Sequence, residues 1–249
     1  MQELTLEEKK AIILDIMKDI DRFCRENGIR YTISSGTLLG AVRHGGFIPW
    51  DDDADMFMLR EDFDRFVKIY RSDKYHLLFH NRSEGEFLMA GYAKVSDPET
   101  YVAGKNTMTS YGVYVDIFPL DSVPQDAETR KDYIHKVMSI HNRLHHRQKK
   151  DIVSILKSYR HSLSWWWERL DREVHNPEYA DSPLAAHIVG TTNSRTVIDK
   201  SRFDTLREIP FEDYKFMAFS DTHSYLAMVF GEDYMTPKKW AHEYKIYRK

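Results

Sequence analysis

The sequence predicts an α/β fold: a mixed sheet with flanking helices, followed by a mainly helical C-terminal half. Apolar residues recur at three- and four-residue intervals at Ile13, Ile16, Ile20 and Phe23, the period of an amphipathic helix. Short apolar or alternating runs near 31–34, 53–58, 75–79, 87–95 and 111–118 have strand length. From about residue 126 the composition turns helical. The expected organisation is a core over 1–125 and a helical region over 126–249 that packs on it and completes a substrate cleft.

Thr5 and Glu8 have the spacing of a capping box, so the first helix starts there, and Gly28 stops it. A strand over 31–34 leads through Ser35-Gly36 into a short helix over 37–43. The loop HGGFIPWDDD carries two glycines and a proline, which exclude a regular helix. A helix over 62–70 packs through Phe63, Phe66, Val67 and Tyr70, and the strand over 111–118 ends at Pro119. Two long helices are expected over about 126–150 and 152–174, with a break near 147–151. Beyond Pro177 the pattern is mixed, with a helix over 222–230.

The 249 residues include 36 basic and 39 acidic side chains, a formal charge of −3, which argues against a nucleic-acid coat. A single cysteine, Cys24, excludes an intrachain disulfide and a thiolate metal cluster; its helical context suggests a buried side chain. The opening MQELTLEEKK lacks the basic start and apolar run of a signal peptide, and no apolar run approaches the ~20 residues that span a bilayer. A cytoplasmic protein is expected, with room for peripheral contact at the inner face of the membrane.

The strongest local feature is Asp51-Asp52-Asp53-Ala54-Asp55, which runs directly into apolar Met56-Phe57-Met58-Leu59. On a strand Asp53 and Asp55 point to one side and make a natural site for a hard cation. Asp116 is embedded in an otherwise apolar strand, where a lone ionised acid is costly. If the two strands are neighbours, the three carboxylates approach one another and a divalent ion offsets their repulsion. A solvated turn and unrelated acids at strand ends are the alternative.

Residues 35–55, SGTLLGAVRHGGFIPWDDDAD, closely resemble the LicD family of phosphocholine transferases, related to the fukutin group. The segment VDIFPLD over 115–121 resembles that family's second acidic segment, and FGEDYMTP over 230–237 resembles its closing motif. The resemblance implies a nucleotidyltransferase-like fold with Asp53 and Asp55 as the metal pair, Asp116 as the third acid, and Mg²⁺ (or Mn²⁺) as cofactor. It also implies transfer of phosphocholine from CDP-choline, or a related CDP-alcohol, to a sugar or lipid-linked glycan acceptor, with release of CMP. The fold's usual glycine-serine turn is here Gly36-Thr37, which keeps the hydroxyl.

Gly36 and Thr37 are expected to donate to the donor phosphates, or simply to cap a helix. Arg43 is a candidate for a bidentate phosphate contact, or else a surface ion pair. His44 contacts phosphate or acceptor, or packs the loop. Asp52 and Asp51 take supporting roles, with Asp51 the more exposed. Lys94 reaches for a phosphate or lies exposed on its strand, and Asp121 contacts substrate or caps a bend. Aromatic faces bind quaternary ammonium groups, which makes Trp50, Tyr111 and Tyr114 candidates for the choline head, against ordinary packing.

Three consecutive tryptophans, Trp165 to Trp167, cannot share one helical face; a membrane-facing ridge or an interhelical contact accommodates them. His141 and His145 form an i,i+4 pair that could bind zinc or simply be solvated, and the basic cluster over 145–150, which includes His146, suits an anionic acceptor or a membrane surface. The competing functions are transfer of ribitol or glycerol phosphate, nucleotidyl transfer to a small phosphorylated alcohol or sugar, and glycan binding without catalysis.

Overall fold

The computed structural model describes residues 2–79, 91–102, 111–148, 162–189, 196–237 and 246–248. Helix α1, Leu6–Asn27, begins in the capping box: Thr5 Oγ1 accepts from the Glu8 amide at 3.2 Å, and Glu8 Oε2 accepts from the Thr5 amide at 2.9 Å. Gly28 ends it in the left-handed conformation (φ 60°). Ile13, Ile16, Ile20 and Cys24 are buried along one stripe, which continues through Lys9 and Lys10.

The first half continues with β1 (Thr32–Ile33), α2 (Ser35–His44), β2 (Asp55–Leu59), α3 (Arg60–Ile69), β3 (His76–Leu78), β4 (Ala93–Ser96), β5 (Thr100–Val102) and β6 (Tyr114–Ser122). The main sheet has the order β1-β2-β6-β4-β3. It is mixed: β2 and β6 are parallel, while β1 on β2, β4 on β6 and β3 on β4 are antiparallel. The parallel pair requires a crossover, and the chain between β2 and β6 supplies it through α3, which contacts both strands.

The second half opens on α4 (Ala127–Gln148) and α5 (Leu163–Val174), which pack together. It also carries β7 (Leu184–Ala186), β8 (Val197–Asp199), a hairpin of β9 (Leu206–Phe211) with β10 (Tyr214–Phe219), α6 (Thr222–Phe230) and β11 (Ile246–Arg248). The mixed pattern beyond Pro177 resolves into these short strands. β7 extends the main sheet by pairing with the end of β6, and β11 pairs with β5.

Strand β6 does not end at Pro119. The Asp116 amide bonds the Ala54 carbonyl at 2.9 Å, so even-numbered residues of β6 turn their backbone polar groups toward β2 and odd-numbered ones away. On that far side the β4 pairing stops at Ile117 and the β7 pairing starts at Asp121. Pro119 falls between the two, where a missing N–H removes no ladder bond.

Strand β4 covers only the end of the run expected over 87–95; residues 80–90 lie outside those described. The expected break near 147–151, the start of the helix expected at 152 and the side chains of His145 and His146 also fall outside. Trp166 and Trp167 are buried, Trp167 edge-on to Phe79, and only Trp165 is exposed. Trp166 therefore makes the interhelical contact, with Arg143 of α4 over its ring at 4.9 Å, and Trp167 packs against Phe79 at the end of β3. Among the described residues no helix is long and apolar enough to cross a membrane.

Thr5→Ala removes one half of the capping box and should cost about 1 kcal/mol in urea unfolding, with Thr5→Ser restoring most of it. An unchanged unfolding midpoint for Thr5→Ala would show that the cap contributes nothing.

Candidate active site

Strand register brings the principal charges together. Asp55 on β2 is the register partner of Asp116 on β6, and Asp116 is in turn the partner of Lys94 on β4. Neighbouring strands lie about 4.8 Å apart and partners share a face, so Asp55, Asp116 and Lys94 form one row across three strands. Two residues further along the same face, Phe57 and Phe118 pack edge-on, with His187 against both rings and Tyr225 against Phe57. The acids therefore stand on the rim of an apolar cluster that limits their hydration.

The carboxyl groups feel this. Burial, then Asp116 and Asp51, push Asp55 up to about 7, with Lys94 and a hydrogen bond from Ser35 opposing. Asp53 is exposed on its solvent side; on the side facing the cluster, loss of solvation and then Asp55, Asp51 and Asp116 push it up to about 9. Such a set of hard oxygen donors fits a divalent cation, which would relieve the repulsion. The expected three-carboxylate cage is nevertheless not formed among the described residues. The cation that stands at Asp116 is the Lys94 ammonium, which pairs with Asp116 Oδ1.

That pairing corrects the expectation for Lys94. It is buried on its strand, facing neither solvent nor an open phosphate site. Its Nζ lies 3.5 Å from the centroid of the Tyr114 ring, 5.5 Å from Tyr111 and 5.6 Å from Tyr92. The rings of Tyr111 and Tyr114, themselves edge-on at 5.2 Å, thus surround an ammonium that belongs to the protein. Trp50 is on the loop, edge-on to His44 at 6.3 Å.

The turn before α2 meets the same strand. The Ser34 amide donates to the Asp55 carbonyl at 3.0 Å, and Thr37 Oγ1 accepts from the Asp55 amide at 2.9 Å. Thr37 is buried and braces β2, a different task from direct contact with phosphate through its hydroxyl. Ser35 adopts φ 49°, which is uncommon for a residue with a side chain, and its amide donates to the Tyr225 hydroxyl at 3.3 Å. The amides of Gly36 and Thr37 lie in the first helical turn, where N–H groups have no intrahelical acceptor. A Cβ on Gly36 would come within 2.9 Å of Asp51 Oδ2, so glycine is what admits that carboxylate.

Asp51 packs over Gly36 and shares a hydrogen bond with Asp53, while Asp52 pairs with Lys9 of α1 at 3.7 Å, both of these side chains being buried. Lys10 Nζ donates to the Pro49 carbonyl at 2.9 Å. On the other flank the Glu212 amide donates to the Gly45 carbonyl at 2.8 Å, and Glu212 Oε1 accepts from the Phe47 amide at 2.9 Å. Three side chains distant in sequence thus hold the loop that ends in Asp53.

Arg43 and Asp121 each have partners away from the carboxylate row. Arg43 Nη1 donates to the Tyr234 carbonyl at 2.8 Å, which ties the 230–237 motif to α2 as a folded anchor. Beside it, burial, Arg43 and Lys10 lower the pKa of His44. Asp121 lies five residues from Asp116; an odd offset places it on the opposite face, about 16 Å along the strand. There it is fully buried and pairs with Arg60 at 2.6 Å, so it contributes to packing behind the sheet and not to substrate binding.

Ser35, Tyr225, Glu212, Tyr92 and the lysine pair were missed by sequence reasoning. Lys9 and Lys10 did carry a signal, since they precede Ile13 by four and three residues on its buried stripe. Glu212 carried none, because only the β9–β10 hairpin brings it to the loop.

Residues 28–167, more than half of the chain, match the family model described as LicD/FKTN/FKRP, nucleotidyltransferase domain. The chain is 34% identical over 148 residues to the lipopolysaccharide cholinephosphotransferase LicD of Haemophilus influenzae, covering 58% of this chain and 53% of that protein. It is 33% identical over 73 residues to the human ribitol 5-phosphate transferase FKRP, covering 27% and 15%. An uncharacterized protein of Rickettsia typhi is 51% identical over 65 residues, covering 26% and 21%. The chain thus spans about half the length of the Haemophilus relative and less of the other two.

Unfolded carboxyl groups titrate near 4, whereas folded Asp55 and Asp53 hold protons to about 7 and about 9. The folded state then binds more protons than the unfolded one, so in a chelator stability should fall as pH rises through this window. The Tm of the protein in EDTA, followed from about pH 5 to about pH 8.5, should decline more steeply than that of Asp53→Asn; parallel curves would count against it. For the loop, Glu212→Ala should speed hydrogen exchange at the Phe47 amide roughly tenfold or more, since a bond to a charged acceptor contributes about 1.5–3 kcal/mol. Glu212→Gln, which keeps an acceptor, should largely preserve protection. Equal exchange in all three proteins would remove the clamp.

Proposed function

Since this chain belongs to the LicD/FKTN/FKRP nucleotidyltransferase family, we propose that it transfers phosphocholine from CDP-choline to a hydroxyl of a cell-surface glycan or its precursor, releasing CMP. The observation that carries the reading is the row Asp55–Asp116–Lys94, with Asp53 at its mouth and the first turn of α2 beside it. It supplies what diphosphate chemistry needs: carboxylates able to hold a cation, and backbone N–H groups for the phosphate oxygens.

In the proposed reaction the acceptor oxygen attacks the choline-side phosphorus. A new phosphodiester bond forms there as the bond to the bridging oxygen breaks, and CMP leaves with that electron pair. The acceptor's proton passes to a carboxylate of the cluster. Asp53 and Asp55 would hold Mg²⁺ or Mn²⁺, which supplies charge neutralisation at the diphosphate. The amides of Gly36 and Thr37 face the phosphates through the first turn of α2. Ser35 and Thr37 keep Asp55 in register, and Asp51 supports Asp53. Lys94, paired with Asp116, holds that carboxylate in place on the row.

Choline as the head group rests on the half-buried rings of Tyr111 and Tyr114 and on Trp50, aromatic surfaces beside the acids. It also rests on the Haemophilus relative, whose printed name is a cholinephosphotransferase. Because Lys94 fills the tyrosine box from within, a trimethylammonium group would take the solvent-facing sides of these rings. Ribitol phosphate transfer, the activity in the name of the human relative, is the competing reading. A cytoplasmic location with peripheral access to a lipid-linked acceptor suits a cytidine-nucleotide donor.

Purified protein with Mg²⁺ should form an acceptor-dependent phosphodiester from CDP-choline, and little from CDP-ribitol or CDP-glycerol, when offered several glycans. Asp53→Asn and Asp55→Asn should each lower the rate about 10³-fold or more. Selective polyol transfer would replace the choline assignment. Product formation unaffected by chelator and by both substitutions would refute the catalytic site.

A further inference from the structure

We propose that Lys94 is a built-in cation that takes the position of a second metal ion beside Asp116, so that the site binds one divalent ion per chain. This rests on the reading of Asp53 and Asp55 as a divalent-cation site. Lys94 and Asp116 are register partners on adjacent antiparallel strands, so their side chains rise from the sheet side by side. Both are buried, and the ammonium contacts Asp116 Oδ1 directly.

The ammonium is also enclosed. Tyr92, Tyr111 and Tyr114 bring three ring faces within 3.5–5.6 Å of Nζ. Ring faces attract a cation, and most strongly where water is scarce. To leave Asp116, Lys94 would give up a buried ion pair and the aromatic contacts together. A side chain held in this way occupies the β4 side of Asp116 permanently, as an exposed lysine would not.

The remaining carboxylates are not evenly free: Asp116 is paired with Lys94, and Asp51 shares a hydrogen bond with Asp53, which leaves Asp53 and Asp55 to share one divalent ion. That ion is expected at Asp53 and Asp55, on the β2 side of the row, because the opposite side is taken. Lys94 touches Asp116 and not the reacting atoms in this arrangement, which makes it a positioning residue.

Mn²⁺ titration of the full chain, followed by electron paramagnetic resonance of the free ion, reads the stoichiometry directly. The unmodified protein should bind one Mn²⁺ per chain, as should Lys94→Arg. Lys94→Met, which vacates the cation position but keeps much of the apolar stem, should bind two. Adding Asp116→Asn to Lys94→Met should return the count to one. Two ions in the unmodified protein, or one in folded Lys94→Met, would overturn the proposal while leaving the metal-site reading intact. If Lys94→Met does not fold, Lys94→Gln, which also removes the cation, takes its place and should likewise bind two. No bound ion in the unmodified protein would overturn the metal-site reading, and this proposal with it.

Discussion

The arrangement of this protein depends on holding like charges side by side at the edge of an apolar cluster. Asp55 and Asp116 are neighbours across a parallel strand pair, and both, with Asp51, act on Asp53 just before the strand. Such a grouping opposes folding unless protons or cations relieve it. Part of that relief is internal. Lys94 balances Asp116, the Ser35 hydroxyl donates to Asp55, and Asp51 and Asp53 share a hydrogen bond.

Much of the surrounding structure serves to keep the acidic loop in place against that repulsion. The loop is approached from α1 by Lys9 and Lys10 and from the β9–β10 hairpin by Glu212. Gly36 leaves space for Asp51, and Gly40 lets the loop backbone lie directly on α2, where a Cβ would stand 2.4 Å from the Gly46 carbonyl oxygen. Arg43 anchors the far end of α2 to the 230–237 motif. Two glycines and several distant charges thus make one rigid support, as a site requires when its reacting groups must be positioned within a fraction of an ångström.

The site also shows how one strand can serve two purposes. Along β6, Asp116 faces the carboxylate row while Asp121, five residues on, faces the Arg60 pair behind the sheet. Both are buried acids in a strand that reads as apolar, and both have a basic partner. Proximity in sequence joined them as one motif, whereas strand alternation separates them. The same local resemblance therefore contains one residue of the site and one of the scaffold.

The sequence by itself determined the elements whose cause is local. The capping box of α1, its buried stripe, the short helix after the Ser35 turn, α3 and α6 follow from side-chain period and cap chemistry over a few residues. The acidic run and its entry into a strand at Asp55 were legible for the same reason. Only tertiary structure decided that Asp55 meets Asp116 and that Lys94 lies on the other side, because register between distant strands has no local signature. It also decided that Glu212 reaches the loop, that Thr37 and Arg43 bond to backbone, and that β6 continues through Pro119. Each depends on which neighbour a strand or helix acquires, and a linear pattern records the period of a segment without the identity of its partner.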